Sequence, residues 1–319
     1  AGSLFVNGPQ VVSAVSGKNV TMQEIGGQEA CVKSGVAQIV CASDEEAIAS
    51  ARKLVAMLPV NNMESAEFDA TDDMNRIAPE LNEIDTVADI RDVIARITDN
   101  GDYIELGADF ASSMVTAIAK IGGRTVGVIA NQPSKDSGRL TVYGCKKAAR
   151  FVSFCDCFSI PVITVVDSMG MKISTAPQGE LSRAGAQLMF AYAEATTARI
   201  ALIAGNAVGM GYAALASRTA ADVVYAWPGA CISAVTPKIA AQLNYAEEMK
   251  DAADPFAKRA ELEARYVEEV ADGINAAKMG YVDDVIEPAQ TRQMIAAALE
   301  MLAGKRESKP AKKHGNMPL

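Results

Sequence analysis

From residue 85 onward, short apolar runs rich in β-branched residues alternate with helical patterns, and this alternation constrains the fold more than any other feature. In chain order, the patterns predict a helix over 86–97, strands over 103–106 and 125–130, a helix over 141–158, a strand over 161–166, a helix over 181–195 and a strand over 199–204. Strands that alternate with helices at this spacing are typical of parallel βαβ units, so the predicted class is α/β. Ligands of such sheets bind beyond the carboxyl ends of the strands, so functional residues are expected in the loops that follow them.

The first sixty residues and the stretch after them have a different pattern. Residues 5–15 are apolar with no polar lead, as is typical of the interior of a domain. The sequence SDEE at residues 43–46 predicts the start of a helix that ends near Leu58. Between residues 61 and 83 the composition becomes acidic and polar without periodicity, which predicts a linker or an extended connection.

Composition and charge argue against several classes of function. With 30 basic and 39 acidic residues, the chain of 319 residues carries a formal charge of -9, which argues against electrostatic binding of nucleic acid. Its apolar runs are shorter than the roughly 20 residues that span a bilayer. The six cysteines form no metal knuckle or disulfide framework and His314 is the single histidine, so neither a Cys/His metal site nor a Ser-His-Asp triad is expected. Reduced cysteines favour a cytoplasmic location.

Three loops that follow predicted strands contain residues suited to ligand binding, namely 131–133, 167–170 and 206–212. In the third loop, Gly209 and Gly211 precede residues that favour a helix, so backbone N–H groups at the helix start could point at an oxygen. Two such donors form an oxyanion hole, which stabilises a carbonyl oxygen as it becomes negatively charged. The alternative is that both glycines only allow the helix to pack closely against the strand.

Longer stretches of the sequence resemble one enzyme family. The segments that carry the resemblance are FVNGP (5–9), VGVIANQP (126–133), KAARFV (147–152), AYAEAT (191–196), AWP (226–228) and KKHGNMPL (312–319). In this order they are similar to the carboxyltransferase subunit of biotin-dependent acyl-CoA carboxylases and decarboxylases, of the propionyl-CoA carboxylase beta and methylmalonyl-CoA decarboxylase alpha type. The resemblance covers essentially the whole chain. It implies a crotonase-like fold of the ClpP/crotonase superfamily with parallel βαβ units, preceded by the end of another crotonase-like domain.

The resemblance also implies a reaction. A carboxyl group would move between carboxybiotin and the α-carbon of a short acyl-CoA, of the propionyl/methylmalonyl-, acetyl/malonyl- or glutaconyl-CoA type. The backbone N–H groups of Met210 and Gly211 correspond in position to the family's oxyanion hole for the ureido oxygen of biotin, and Ala213 to a position associated with acyl-chain choice. The other residues expected on the biotin side are Asn131, Gln132, Asp167, Gly170, Gly209 and Tyr212.

Some of these residues depart from the family's pattern or fit a second role. The departures are at Met210, Ala213, Lys172 and Thr236, and they are expected to reshape the biotin site. Asn131 and Gln132 fit equally well a role in satisfying backbone groups where a strand ends. Asp167 fits equally well a role in bracing its loop or capping a helix.

The resemblance further predicts domain boundaries and partners. Residues 1–63 would be the final part of an N-terminal carboxyltransferase domain, 64–84 an acidic linker, and 85–319 the C-terminal carboxyltransferase domain. In the family, the glycines that bind the acyl-CoA oxygen precede the segment that opens this chain, so we expect that first-half region in the same or another chain, and no full transfer by residues 1–319 alone. Expected partners are a biotin carboxyl carrier protein and either biotin carboxylase or membrane decarboxylase subunits, in a homo-oligomer resembling a hexameric ring.

Two other functions fit the same residues. A biotin-free acyl-CoA enzyme of the crotonase type would combine the oxyanion hole with a carboxylate acid or base, for which Glu194 and Asp167 are the candidates. A non-catalytic scaffold subunit would hold an active partner, and the altered loops around Met171 and Thr236 are compatible with that role. Gly211→Val is expected to abolish transfer by an enzyme and to leave the rate of a scaffolded complex unchanged.

Overall fold

The computed structural model describes residues 2–61, 63–84, 87–175, 177–250, 252, 254–309 and 315–318. In this part of the chain the helices are α1 (Pro9–Ser16), α2 (Met22–Gly26), α3 (Gln28–Lys33), α4 (Asp44–Met57), α5 (Ile90–Ile97), α6 (Val142–Cys157), α7 (Gly179–Glu194), α8 (Met210–Leu215), α9 (Pro237–Asn244), α10 (Ala246–Lys250), α11 (Pro255–Tyr266), α12 (Gly273–Lys278) and α13 (Thr291–Met301). The strands are β1 (Tyr103–Glu105), β2 (Met114–Ile121), β3 (Arg124–Asn131), β4 (Val162–Ser168), β5 (Arg199–Val208), β6 (Val223–Ala226), β7 (Cys231–Ser233) and β8 (Asp284–Val285). None of the described helices has the length and apolar character needed to cross a bilayer.

The predicted alternation of strands and helices is confirmed from β3 to β5. The helix predicted to begin at the SDEE sequence is also confirmed, because the Ser43 side chain accepts a hydrogen bond from the Glu46 N–H at 3.2 Å at the start of α4. The helix predicted over 86–97 is present from Ile90, where Asp89 caps it, and its predicted start at residue 86 lies outside the described residues. His314 and the two lysines that precede it lie outside them too.

The sheet is mixed and contains the predicted parallel βαβ units. Its order is β1-β2-β3-β4-β5-β6-β8, with β7 paired to β5 beyond that path, and the pairs from β3 onward are parallel. β1, β2 and β3 pair antiparallel. The cause is the Gly122-Gly123 turn, whose φ values of 57° and 77° allow β2 to return directly into β3.

Each face of the sheet packs against its own hydrophobic core. One core contains residues of α6, α7 and α8, and the other contains residues of α5 and α13. Successive residues of β4 alternate between them, so that Val162 and Val166 belong to the first core whereas Ile163 and Val165 belong to the second. The face of a strand residue therefore determines which helices it can contact.

Strand β5 is longer than the sequence predicts, which corrects the extent of the third loop. Residues 206–208 were expected in that loop, but they pair with Cys231–Ser233 of β7 and belong to β5. The three residues of β7 are too few to show a periodicity of their own. The sequence therefore revealed neither β7 nor the end of β5 that pairs with it. The turn between β5 and α8 is reduced to Gly209.

Candidate active site at the start of helix α8

Gly209 makes the turn that connects β5 to α8. Its φ of 52° and ψ of −115° lie in a region that side chains disfavour, and its N–H donates to the Ser233 carbonyl at 2.8 Å. A Cβ atom at this position would lie 2.9 Å from the Ala234 carbonyl oxygen. Glycine is therefore required here by conformation and by space.

The backbone N–H groups after Gly209 are free to bind a ligand oxygen. Met210, Gly211 and Tyr212 are the first three residues of α8, and the first hydrogen bond that closes the turn runs from the Ala213 N–H to the Gly209 carbonyl at 3.0 Å. Within the described residues, no group accepts a hydrogen bond from these three N–H groups. Adjacent unpaired donors at the start of a helix are the arrangement that an oxyanion hole needs.

The end of β4 supports the start of α8 from below. Ser168 is fully buried, and a Cβ atom at Gly211 would lie 3.1 Å from both its Cβ and its carbonyl oxygen. The Ser168 hydroxyl accepts a hydrogen bond from the Gly170 N–H at 3.2 Å. Gly170 has a φ of 89° and approaches Val208, where a Cβ would lie 3.1 Å from the carbonyl oxygen. The structure thus brings together four of the predicted residues, namely Gly170, Gly209, Met210 and Gly211.

The Met210 side chain packs towards helix α7. A Cβ atom placed on Gly185 of α7 would lie 2.6 Å from the Met171 methyl carbon and 3.8 Å from that of Met210. The side chains of Met171 and Met210 therefore both end beside Gly185. This contact accommodates the bulk that Met210 adds to the site.

Tyr212 and Ala213 lie on the same short helix and are half-buried. The Tyr212 hydroxyl donates to the Tyr281 carbonyl at 2.9 Å, and the two rings meet edge to face with their centroids 5.8 Å apart. Burial raises the pKa of Tyr212 above its ordinary value. The Ala213 carbonyl accepts from the Ser217 hydroxyl at 2.7 Å. Tyr212 therefore anchors α8 to the turn that follows α12.

Asn131 ends β3 and Gln132 follows it, with the two side chains on opposite faces of the sheet. The Asn131 amide donates to the Gly138 carbonyl at 3.0 Å, and its buried oxygen has no partner within the described residues. The Gln132 side chain accepts from the Ile90 N–H at 3.2 Å and donates to Asp89 at 2.7 Å. Gln132 is thus directed at the start of α5, on the face away from α8. This placement agrees with the interpretation that it satisfies backbone groups.

Asp167 also lies on the α5 side of the sheet. It immediately precedes Ser168, and adjacent strand residues point to opposite faces. Asp167 lines a cavity of about 450 Å³ together with Trp227, Asn206 and Glu287, and the structure does not bring it to the α8 donors.

Glu194, the second carboxylate proposed for a biotin-free enzyme, is far from the start of α8. It ends α7 just before the first residue of β5, whereas Met210 follows the last. A strand of ten residues is roughly 30 Å long, so the two positions lie at opposite ends of the sheet. Glu194 instead lies near Gly315, whose Cβ would be 3.6 Å from its carboxylate.

Ser168 and Lys147 are among the buried polar residues that received no role from the sequence. Ser168 supports Gly211, as described above. Lys147 is 9% exposed, and its ammonium donates to the carbonyls of Gly107, Phe110 and Met114 at 2.6, 2.9 and 2.7 Å. Burial lowers the pKa of Lys147 to about 8. A signal was present for Lys147, because it interrupts the apolar face of α6.

Comparisons with known proteins agree with this architecture. The family described as "Carboxyl transferase domain" matches residues 1–317. The methylmalonyl-CoA carboxyltransferase 12S subunit of Propionibacterium freudenreichii subsp. shermanii is 44% identical over 99% of this chain and 62% of its own length. The methylmalonyl-CoA decarboxylase subunit alpha of Propionigenium modestum is 41% identical over 99% of this chain and 63% of its own. The chain thus spans a little under two thirds of the length of these relatives.

Solved structures give the same result. The transcarboxylase 12S crystal structure, described as a hexamer assembly with methylmalonyl-coenzyme A and methylmalonic acid bound, superimposes with a TM-score of 0.92 at 44% identity, covering 99% of this chain and 62% of that one. A single-chain, multi-domain long-chain acyl-CoA carboxylase superimposes with a TM-score of 0.78 at 23% identity, which shows the fold alone. These neighbours agree with the crotonase-like α/β fold predicted from the sequence.

Proposed function

The chain belongs to the carboxyl transferase domain family, and on this premise we propose that it forms part of an enzyme that moves a carboxyl group between carboxybiotin and the α-carbon of a short acyl-CoA. The observation that carries the proposal is the pair of unpaired N–H groups at Met210 and Gly211, at the position where the family resemblance expects an oxyanion hole. The names of the 12S subunit and of the decarboxylase subunit support the propionyl/methylmalonyl pair as the substrate class.

The residues at the start of α8 fit a ureido group. Biotin, bound through its carrier, supplies the carboxyl group on a ureido nitrogen, and its ureido oxygen becomes more negative when that group leaves. The site offers two adjacent backbone donors, which suit a ureido oxygen. The donors are held by the turn at Gly209 and by the contact of Gly211 with Ser168.

The backbone of α8 would perform the electrostatic part of the reaction. The N–H groups of Met210 and Gly211 are already oriented before substrate binds, so they stabilise developing charge without reorganising. The Met210 and Met171 side chains, packed towards Gly185, provide an apolar border to this position. Low polarity around the donors makes each hydrogen bond to a charged oxygen more favourable.

A proline at position 210 tests the donor role directly. Met210 is the first residue of α8, where proline is well tolerated because its missing N–H has no partner in the helix. In the assembled enzyme, Met210→Pro is expected to lower kcat for transfer from the carboxylated carrier to propionyl-CoA by about 10²- to 10³-fold.

Met210→Leu is the matched control, because it keeps the N–H group and the apolar volume. It is expected to retain most of the activity. If Met210→Pro transferred carboxyl groups at the wild-type rate, the oxyanion hole would be disproved and the scaffold alternative would be favoured.

The proposal includes partners and an assembly. A biotin carboxyl carrier protein would deliver the carboxyl group, with either biotin carboxylase or membrane decarboxylase subunits as further partners. A hexameric assembly is proposed by similarity to the one described for transcarboxylase 12S. The domain boundaries at residues 63 and 84, and the cytoplasmic location, stay predictions.

A further inference from the structure

Strand β5 contains two more residues than β4 where the strands pass Asp167. Val166 pairs with Ile203, and the next pair joins Ser168 to Ala207. One residue, Asp167, separates the two pairs on β4, whereas three residues separate them on β5. The parallel ladder is therefore interrupted by a bulge directly before the turn into α8.

The Asp167 carboxylate fills this interruption. Its Oδ1 atom accepts hydrogen bonds from the Asn206 N–H at 2.8 Å and from the Asn206 side-chain amide at 3.1 Å. Asp167 is 6% exposed, and both hydrogen bonds are partly buried. We call this pair of hydrogen bonds the Asp167–Asn206 clamp.

Gly205 makes room for the clamp. A Cβ atom at this position would lie 2.5 Å from the carboxylate carbon of Asp167 and 2.6 and 2.7 Å from its two oxygens. Its φ is not positive, so the glycine is required by space and not by conformation. The bulge residue and the carboxylate therefore fit each other.

The clamp lies where β5 changes its neighbour. Before the bulge, residues 200–203 pair with β6, and after it, residues 206–208 pair with β7. The re-paired end of β5 leads through Gly209 to the donors of α8. On β4, Ser168 follows Asp167 and packs against Gly211. The clamp therefore joins β4 to β5 one residue before Ser168.

We propose that Asp167 is a positioning residue, whose hydrogen bonds to Asn206 hold the N–H groups of Met210 and Gly211 at the correct place over Ser168. This inference rests on the proposed function of those donors. Asp167 acts as a hydrogen-bond acceptor from the opposite face of the sheet and touches neither biotin nor the acyl group. Within the described residues no cation pairs with it, so the clamp needs an acceptor and not a charge.

The first test compares Asp167→Ala with Asp167→Asn in the assembled enzyme. Asparagine keeps an oxygen that can accept from the Asn206 N–H, and alanine does not. Asp167→Ala is expected to lower kcat for transfer from the carboxylated carrier by about 10²-fold, since small displacements of catalytic groups have effects of this size. Affinity for propionyl-CoA is expected to stay unchanged, and Asp167→Asn is expected to restore most of kcat.

Glu287→Gln is the matched control, because Glu287 is the exposed second carboxylate on the same cavity. It is expected to leave kcat unchanged. Gly205→Ala is expected to lower kcat as Asp167→Ala does, and the double variant is expected to be no worse than Asp167→Ala, because the added methyl group then has no carboxylate to displace.

Three results would overturn the inference. Equal loss in Asp167→Asn and Asp167→Ala would mean that the charge matters, as for an acid, a base or a cation site. Equal loss in Glu287→Gln would assign the effect to the charge of the cavity. A loss of propionyl-CoA affinity in Asp167→Ala that accompanies a lower Tm would indicate that the substitution only destabilises the protein.

A crystal structure of Asp167→Ala separates this inference from the proposed function. If the wild-type enzyme does not transfer carboxyl groups from the carrier, the proposed function fails whatever the clamp does. The clamp is then judged by geometry, since residues 205–211 are expected to shift relative to Ser168 in the variant. An unchanged position of these residues would disprove the clamp.

Discussion

The start of α8 and the surroundings of Lys147 treat backbone polar groups in opposite ways. At α8, adjacent N–H groups have no acceptor within the described residues. At Lys147, the carbonyls of Gly107, Phe110 and Met114 all accept hydrogen bonds from one ammonium. Unpaired backbone groups are costly in a protein interior, so they persist where a ligand can bind them. The free donors are therefore candidates for function, whereas the bonded carbonyls hold the 107–114 loop to α6.

The largest effect is expected at Lys147. Lys147→Met removes the ammonium and leaves the Phe110 and Met114 carbonyls without a donor, whereas the Gly107 carbonyl keeps the Phe110 N–H, so the free energy of unfolding should fall by roughly 3–5 kcal/mol. Urea denaturation followed by circular dichroism measures this change. Lys146→Met, at the exposed neighbouring position on the same helix, is the control and should be nearly neutral. Similar losses in both variants would show that the three hydrogen bonds do not stabilise the protein.

The contribution of Lys147 to stability is expected to depend on pH. Burial lowers its pKa from 10.5 to about 8 in the folded protein. Between these values the unfolded chain binds more protons than the folded one, so the contribution of Lys147 to stability should rise with pH across this window, by about 3 kcal/mol at most. Subtracting the unfolding free energy of Lys147→Met at each pH isolates it. A difference that falls as pH rises from 8 would mean that the carbonyls outweigh burial and hold the charged form.

Gly209→Ala tests the turn that presents the free donors. Its positive φ and the approach of a Cβ to 2.9 Å from the Ala234 oxygen should lower the free energy of unfolding by about 1–3 kcal/mol. Gly229→Ala is the matched control, because a Cβ there would meet nothing within 4 Å. Thermal unfolding of both variants is the measurement. A neutral Gly209→Ala would mean that the turn relaxes easily and does not fix the donors.

The smallest effect is expected at Tyr212. Tyr212→Phe removes one hydrogen bond to the Tyr281 carbonyl, which should lower the free energy of unfolding by about 1 kcal/mol and leave kcat unchanged. Tyr281→Phe keeps the backbone carbonyl and should be neutral. A fall of kcat in Tyr212→Phe without a matching loss of stability would place the hydroxyl in contact with substrate.

Much of the fold and part of the site could be predicted from local sequence. The βαβ alternation, the cap at Ser43 and the helix start after Gly209 depend on residues close in the chain, and all three are present. The Gly122-Gly123 hairpin was missed although the glycine pair was a usable signal. Strand β7 left no signal, because three residues are too short for a period.

The positions of Asp167 and Gln132 could not be predicted in the same way. Asp167 lies near the end of β4 and Gln132 follows β3, and each was expected either on the biotin side or in a structural role at the strand end. A strand sends neighbouring side chains to opposite faces, so a position in a loop motif does not tell which face a residue occupies. Only the packing of α5 on one face and α8 on the other separates them.

The sequence by itself determined the α/β class, the family, and the glycines that free the N–H groups of Met210 and Gly211, because these depend on local pattern and on backbone conformation. The tertiary structure alone decided which polar residues meet. It placed Ser168 beneath Gly211, Asp167 against Asn206 in a bulge between two strands, and Lys147 among three carbonyls of a distant loop. These contacts join segments far apart in the chain, and their geometry follows from strand register and helix packing, which no local pattern contains.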